Sequence, residues 1–262
     1  MLTSLQNSLI KEIRKLHQSK KRTETGLVLL EGSRLIETAC QLNCSLETIC
    51  YTEDWKEKNL ATWRKLTLIA QRIESVSPEV LKSLATTVNP DGIIATALRT
   101  QITPPAPDNL RLGIVLEGIQ DPGNLGTIMR TALATGVDCL FLSSNTVSID
   151  QPKVLRASVG ACFHLPCQTY NHILDIINFY KDQELQIIAT LPNTDKLYWN
   201  VNLTLPSLIL LGNEGAGLSS SLIELANHRI KIPLSPVVES LNVATTCSVI
   251  LYERLRQINL HD

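Results

Sequence analysis

The chain carries almost no net charge: its 262 residues hold 24 Lys and Arg against 25 Asp and Glu, a formal total of −1. No global excess of one sign advertises a polyanionic partner, so any attraction for nucleic acid has to be local. The chain also lacks a Cys-x-x-Cys pair. Its seven cysteines, at 40, 44, 50, 139, 162, 167 and 247, are odd in number and sit mostly among apolar neighbours, which argues against a disulfide framework and for a reducing compartment. The tightest group, Cys162, His164 and Cys167, has no second ligand pair at zinc-site spacing and reads as buried thiols beside an incidental histidine, so no metal is expected. No uninterrupted apolar run approaches the roughly 20 residues that cross a bilayer. The first apolar stretch is broken by Lys11, Glu12 and Arg14, so no secretory leader is visible, no membrane is expected as a partner, and the cytoplasm is the expected location. Internal repeats are absent, as are a Walker A lysine, a Gly-x-Gly-x-x-Gly fingerprint and a Gly-x-Ser-x-Gly elbow. Those absences remove the usual warrants for a nucleotide hydrolase, a Rossmann dehydrogenase and a serine hydrolase.

What the chain does have is apolar mass, 44% of its residues, enough for a substantial core in one large or two ordinary domains. The stretch Thr100-Gln-Ile-Thr-Pro104-Pro105-Ala-Pro107-Asp-Asn109 holds three prolines, which interrupt helix and sheet alike and mark an extended connector. The expected division is a front domain over 1–100, a linker over 101–110 and a back domain over 111–262. In front, the pattern predicts a helix over 3–20, a strand over 27–30, a helix over 33–42, a strand over 48–51 and a short helix near 55–64. A strand over 66–70, a helix capped by Ser77 with Pro78 at its first position, and a strand over 93–98 complete a small α/β domain. Behind the linker, strands over 112–116, 139–142, 186–190, 208–211 and 229–232 alternate with helices near 125–134, 152–159, 171–182, 219–226 and 241–257. Their near-continuous apolar character predicts a parallel sheet covered on both faces, which places functional loops at strand ends.

Within 11–34, Lys11, Arg14, Lys15, Lys20, Lys21, Arg22 and Arg34 face only Glu12, Glu24 and Glu31. This basic end is either a phosphate-binding surface or an ordinary solvated helix face.

Three strand-end loops of the back half are rich in glycine and in polar residues that a plain connection does not need. The first is Glu117-Gly-Ile-Gln-Asp-Pro-Gly-Asn124-Leu-Gly126-Thr-Ile-Met-Arg130, the second Leu211-Gly212-Asn213-Glu214-Gly215-Ala-Gly217. The third is Ile232-Pro-Leu-Ser-Pro-Val-Val-Glu239-Ser240-Leu241-Asn242-Val243-Ala244. Singly, each has a plain explanation: Asn124 as a helix N-cap, Arg130 as a solvated charge, the glycines as a tight turn, Ser240 and Asn242 as caps of the last helix.

In this order and at these strand ends, the three loops resemble the signature motifs of the SpoU (TrmH-like) family of RNA ribose 2′-O-methyltransferases over 111–257. Gln151-Pro-Lys-Val-Leu-Arg156-Ala-Ser158-Val-Gly160-Ala is similar to that family's helix between the first two motifs. In front, Leu29-Leu-Glu31-Gly32-Ser-Arg34-Leu-Ile-Glu-Thr-Ala is similar to an L30e/L7Ae-like RNA-binding domain that many members carry.

The resemblance implies an α/β fold whose back domain is the SPOUT trefoil knot, preceded by a smaller L30e-like α/β domain. It implies S-adenosylmethionine as methyl donor, held by Thr190, Leu211, Gly212, Ile232 and Leu241 mostly through main-chain groups, with Gly212 and Gly217 letting the adenosyl moiety approach the backbone. It assigns catalysis to Arg130, with Asn124, Glu214, Ser240 and Asn242 arranging Arg130 and the ribose, partly across a homodimer interface. Because an arginine pKa lies above about 12, orienting the ribose and neutralising a phosphate is the better-founded part of the Arg130 role. Lys11, Arg14, Lys15, Lys20, Lys21, Arg22, Arg34 and Arg156 form the implied RNA-binding set. The expected substrate is RNA, 23S ribosomal RNA ahead of transfer RNA. The reading from another class is a non-catalytic RNA-binding ribosome-assembly factor with the same fold, against which the retained Arg130, Glu214 and Asn242 argue.

Overall fold

The computed structural model describes residues 1–99 and 102–259; Thr100 and Gln101 of the expected connector, and 260–262 of the expected back domain, lie outside the described residues. In chain order the elements are α1 (Ser8–Lys15), α2 (Ser19–Thr25), β1 (Leu27–Glu31), α3 (Ser33–Gln41), β2 (Leu46–Tyr51), α4 (Glu53–Lys58), α5 (Leu60–Ile69), β3 (Ala70–Ser75), α6 (Pro78–Leu84) and β4 (Ile93–Leu98). There follow β5 (Leu112–Leu116), α7 (Pro122–Ala134), β6 (Cys139–Ser143), α8 (Pro152–Ser158), β7 (Cys167–Tyr170), α9 (Ile173–Asp182), β8 (Gln186–Thr190), β9 (Ser207–Leu211), α10 (Ser220–Leu225), β10 (His228–Ile230) and α11 (Val243–Asn259).

Two compact units emerge. One holds the described residues up to Arg99 together with Ser148–Phe163; the other holds Ile102–Val147 and the residues from His164 onward. The segment Ser148–Phe163, which the division at the prolines counts with the back half, therefore packs inside the front unit. The reason is physical: Leu155 is buried with Val28, Leu30, Ile36 and Ala95, and Cys162 and Phe163 pack against the same cluster.

The front sheet runs β1-β4-β2-β3, antiparallel except for the parallel β2–β3 pair. Its helices begin where local chemistry dictates: Asn7 accepts the Leu9 N–H at 2.9 Å at the head of α1, and Ser77 accepts the Val80 N–H at 3.3 Å ahead of Pro78. The single helix expected over 3–20 is broken by an extended Gln18 (φ −89°, ψ 130°), after which α2 carries Arg22 inward. The expected strand over 66–70 is instead the end of α5, because a short apolar run fits either state. The strand that follows, β3, is a polar edge strand with Gln71 and Arg72 exposed, as an open sheet edge favours.

The back sheet runs β10-β8-β9-β5-β6-β7 and is parallel throughout. Its three central strands, β5, β6 and β9, are buried along their whole length, hence their unbroken apolar sequences. On one face Phe141, Leu208 and Leu210 pack against Ile177 and Tyr180 of α9; each such side chain contributes about 1.5–3 kcal/mol by burial. The edge strand β7 escapes hydrophobic patterning because Gln168 and Thr169 dilute it. Burial pushes the thiols of Cys50, Cys139 and Cys247 up to about 12 and that of Cys162 up to about 11. Among the described residues no helix is long and apolar enough to cross a membrane.

Candidate active site

The loops leaving β5, β9 and β10 meet at the carboxyl ends of the back sheet, where open α/β sheets bind ligands. In the first loop Asp121, not Asn124, caps α7: its carboxylate accepts the Asn124 main-chain N–H at 2.9 Å. The capping explanation for Asn124 is thereby removed, and its side chain is used elsewhere. Asn124 Nδ2 donates to Glu214 Oε1 at 2.9 Å, while Asn124 Oδ1 accepts from Asn242 Nδ2 at 2.9 Å. Asn242 does cap the last helix, its Oδ1 accepting the N–H groups of Ala244 (2.9 Å) and Thr245 (3.4 Å). Glu214 also accepts the main-chain N–H of Gln120 at 3.3 Å and of Asp121 at 3.4 Å. Burial pushes the Glu214 carboxyl up, but the donors from Asn124 and from main-chain N–H groups outweigh it and hold the group below its ordinary value.

Beside this network lies a cavity of about 420 Å³ whose wall includes all five expected cofactor residues, Thr190, Leu211, Gly212, Ile232 and Leu241, as well as Glu214, Ser240 and Asn242. The volume is that of a pocket for a drug-sized ligand. Leu211, Ile232, Leu234 and Val243 offer apolar walls suited to a purine face, and Lys231, Glu239 and Ser240 supply the polar groups that an amino-acid end requires. The residues present fit S-adenosylmethionine.

Gly212 has a structural reason beside the one the resemblance implies. A Cβ at Gly212 would stand 2.2 Å from the Gly217 carbonyl carbon and 2.3 Å from the Leu218 nitrogen, so the loop's own backbone already excludes a side chain. Gly217 has open space around a would-be Cβ but sits at φ +71°, where glycine is favoured.

Two residues outside the expected set hold the loops together. Asn213 Nδ2 donates to Gly118 O at 2.7 Å while its Oδ1 accepts from Gly215 and Ala216, and Glu117 Oε2 accepts the Ser219 N–H at 2.7 Å. An Asn after a strand-end glycine is a turn signal, and Glu117 directly follows an apolar strand; both marks were present in the sequence.

Arg130 is exposed, and among the described residues no hydrogen bond joins it to the Asn124–Glu214–Asn242 network. Six residues beyond Asn124 on a helix of 3.6 residues per turn, it projects from a different face about 9 Å further along the axis. One chain therefore brings Asn124, Glu214, Ser240 and Asn242 to the cavity rim but not Arg130.

The basic set divides as well. Lys11 and Arg34 are exposed and Arg14 is half-buried; Lys15 and Lys21 pair with Glu12, and Lys20 lies 4.0 Å from Glu24. Arg22 is a correction to the RNA-binding set: it is 2% exposed and bonded to Asp150 at 3.1 Å, so its charge serves the fold. Arg156, 27% exposed, pairs with buried Glu31 at 2.6 Å.

Residues 111–252 match the profile of the SpoU rRNA Methylase family, and residues 7–95 that of the MRM3-like substrate binding domain. The chain is 44% identical, over 98% of its length and 93% of the relative's, to an uncharacterised tRNA/rRNA methyltransferase of Synechocystis sp.. It is 28% identical, over 96% of its length and 97% of the relative's, to the 23S rRNA (guanosine(2553)-2′-O)-methyltransferase RlmP of Bacillus subtilis. The crystal structure of an AdoMet-bound rRNA methyltransferase from Sinorhizobium meliloti is similar at 27% identity, with a TM-score of 0.85 over 98% of this chain and 97% of that one.

Proposed function

Because the chain belongs to the SpoU rRNA methylase family, we propose that it is an S-adenosylmethionine-dependent RNA ribose 2′-O-methyltransferase acting on 23S ribosomal RNA. In this reading it is a cytoplasmic homodimer whose back domain is tied as a trefoil knot. The observation that carries the reading is the joining of Asn124, Glu214 and Asn242, from three separate loops, on the rim of a cavity lined by all five expected cofactor residues.

When bound, the cofactor supplies a methyl group on a sulfonium, already a good leaving group, so the protein's task is placement and handling of one hydroxyl proton. Leu211, Gly212, Ile232 and Leu241 hold the donor, Asn124 and Asn242 orient the ribose, and Arg130 neutralises a neighbouring phosphate. An exposed Arg130 facing away from its own chain's network is what a site completed by a second copy presents. Two things support ribosomal RNA as substrate. The Bacillus relative matches over nearly its whole length, front domain included. The front unit holds sixteen of the 24 basic side chains against twelve of the 25 acidic ones, a local excess that the overall charge conceals.

The test is a map of 2′-O-methyl positions in total RNA from cells with and without the gene. One missing position in 23S ribosomal RNA is expected. A missing position in transfer RNA would reassign the substrate, and an unchanged map together with no S-adenosylmethionine binding by calorimetry would refute the activity.

A further inference from the structure

The three side chains on the cavity rim are joined in one direction only. A carboxylate accepts hydrogen bonds and cannot donate them, so Glu214 decides which end of Asn124 faces it: the Nδ2 group, at 2.9 Å. Asn124 Oδ1 is thereby turned toward Asn242 and receives its Nδ2–H. Asn242 Oδ1 in turn receives the N–H groups of Ala244 and Thr245 at the head of α11. Gln120 and Asp121 also donate to the carboxylate from the main chain. The bonds through the two amides all run from α11 toward Glu214, and turning either amide over would set donor against donor or acceptor against acceptor.

Each carboxamide has two N–H bonds and spends one in this relay. The second N–H of Asn124 and of Asn242 has no acceptor among the described residues, and both side chains reach the surface beside the cavity. We propose that Glu214 is a positioning residue whose acceptor carboxylate fixes the direction of Asn124, in concert with the α11 N–H groups that fix Asn242 from the other end, so that each amide presents an N–H donor to the ribose oxygens of the target nucleotide. The proposal rests on the methyltransferase reading and specifies how that site receives its ribose. Each donor can hold a ribose oxygen by one lone pair and leave the other free. The two amides take no proton from the hydroxyl, because a carboxamide is not a base.

The first measurement needs no RNA. In the full-length protein labelled with ¹⁵N, the side-chain amide resonances of Asn124 and Asn242 should shift together at a single acid inflection. That inflection should vanish in Glu214→Gln, although Glu117, Asp121, Glu239 and Lys231, the other ionisable groups of these loops and of the cavity wall, remain. Inflections that persist in Glu214→Gln, or that differ between the two amides, overturn the proposal.

The second measurement uses tritiated S-adenosylmethionine and an unmodified 23S ribosomal RNA transcript. In the double variant Asn124→Asp/Glu214→Gln, residue 124 accepts from both neighbours, which keeps the hydrogen bonds but removes its donor to the ribose. Cofactor affinity should stay within about threefold of wild type while turnover falls about 10²-fold or more, the usual loss for one oriented donor. Wild-type turnover in the double variant overturns the proposal. If the wild-type protein binds cofactor but methylates nothing in this transcript, the substrate assignment fails, and the amide titration still decides the relay.

Discussion

Arg22 and Asp150 are 128 positions apart and meet as a 3.1 Å ion pair, 2% and 3% exposed. The guanidinium also donates to the carbonyls of Leu16 and His17, while Asp150 receives the Ser148 hydroxyl and lies 3.5 Å from Arg99. Removing Asp150 leaves the buried Arg22 charge uncompensated, at a cost of about 3–5 kcal/mol, whereas removing Arg22 leaves Asp150 with Arg99. Urea unfolding should show a loss of that order for Asp150→Ala and a smaller one for Arg22→Ala. The double variant Arg22→Met/Asp150→Leu should lose markedly less than the sum, and additive losses would contradict the pairing.

Cutting the chain at the proline-rich connector should damage the front unit. A fragment covering 1–105 lacks Leu155, Cys162 and Phe163 from its core and leaves Glu31 without Arg156. It should bind a hydrophobic dye and unfold without a sharp transition. The same fragment carrying 148–163 on a flexible linker should regain cooperative unfolding by circular dichroism.

The two loop glycines should differ when replaced. Gly212→Ala forces a methyl group into main-chain atoms 2.2–2.4 Å away and should abolish S-adenosylmethionine binding by calorimetry. Gly217→Ala meets no such atoms and carries only the left-handed backbone penalty, about 1–2 kcal/mol, so its cofactor affinity should fall by no more than about thirtyfold.

Arg130→Ala should abolish methyl transfer while leaving cofactor affinity within about twofold, since the side chain does not line the cavity. In mixed dimers with a cavity-dead partner carrying Gly212→Ala, activity should recover to a fraction of wild type, because one intact pairing of Arg130 with an opposite cavity re-forms. No recovery would place Arg130 in its own chain's site.

Thiol reactivity gives a test that depends on pH. With Cys50, Cys139 and Cys247 pushed up to about 12 and Cys162 up to about 11, these groups remain thiols, not thiolates, throughout pH 7–9, and the thiolate is the form that reacts. Mass spectrometry after brief iodoacetamide treatment at pH 8.5 should find all four unmodified in the native protein and modified in urea.

The functional loops were legible in the sequence because their chemistry is local. Gly118 and the Gly212-Asn213 pair sit directly after apolar strands, the Glu-Ser-Leu-Asn run sits at the head of the last helix, and strand ends of a parallel sheet converge. The parallel sheet was legible too, since strands buried on both faces are written as unbroken apolar runs. Three features were hidden because they depend on partners distant in sequence. Nothing in Lys20-Lys21-Arg22 announces that the arginine is consumed by Asp150 while the lysines stay outside. Nothing near Gln151 shows that α8 packs with the front sheet. Asn124 and Asp121 are both competent caps, and only the fold assigns that task to Asp121 and gives Asn124 to Glu214.

The excursion of Ser148–Phe163 into the front unit also bears on the order in which the protein matures during synthesis. When the first hundred residues have left the ribosome, Glu31 and Arg22 are committed to a core whose counter-charges, Arg156 and Asp150, have yet to be made. Roughly sixty more residues, carrying β5, α7 and β6, must emerge before that core can close, whereas domains generally fold one after another from the N-terminus. In this chain the front unit has to wait, and a translational pause after the connector would prolong its exposure instead of giving it time to finish.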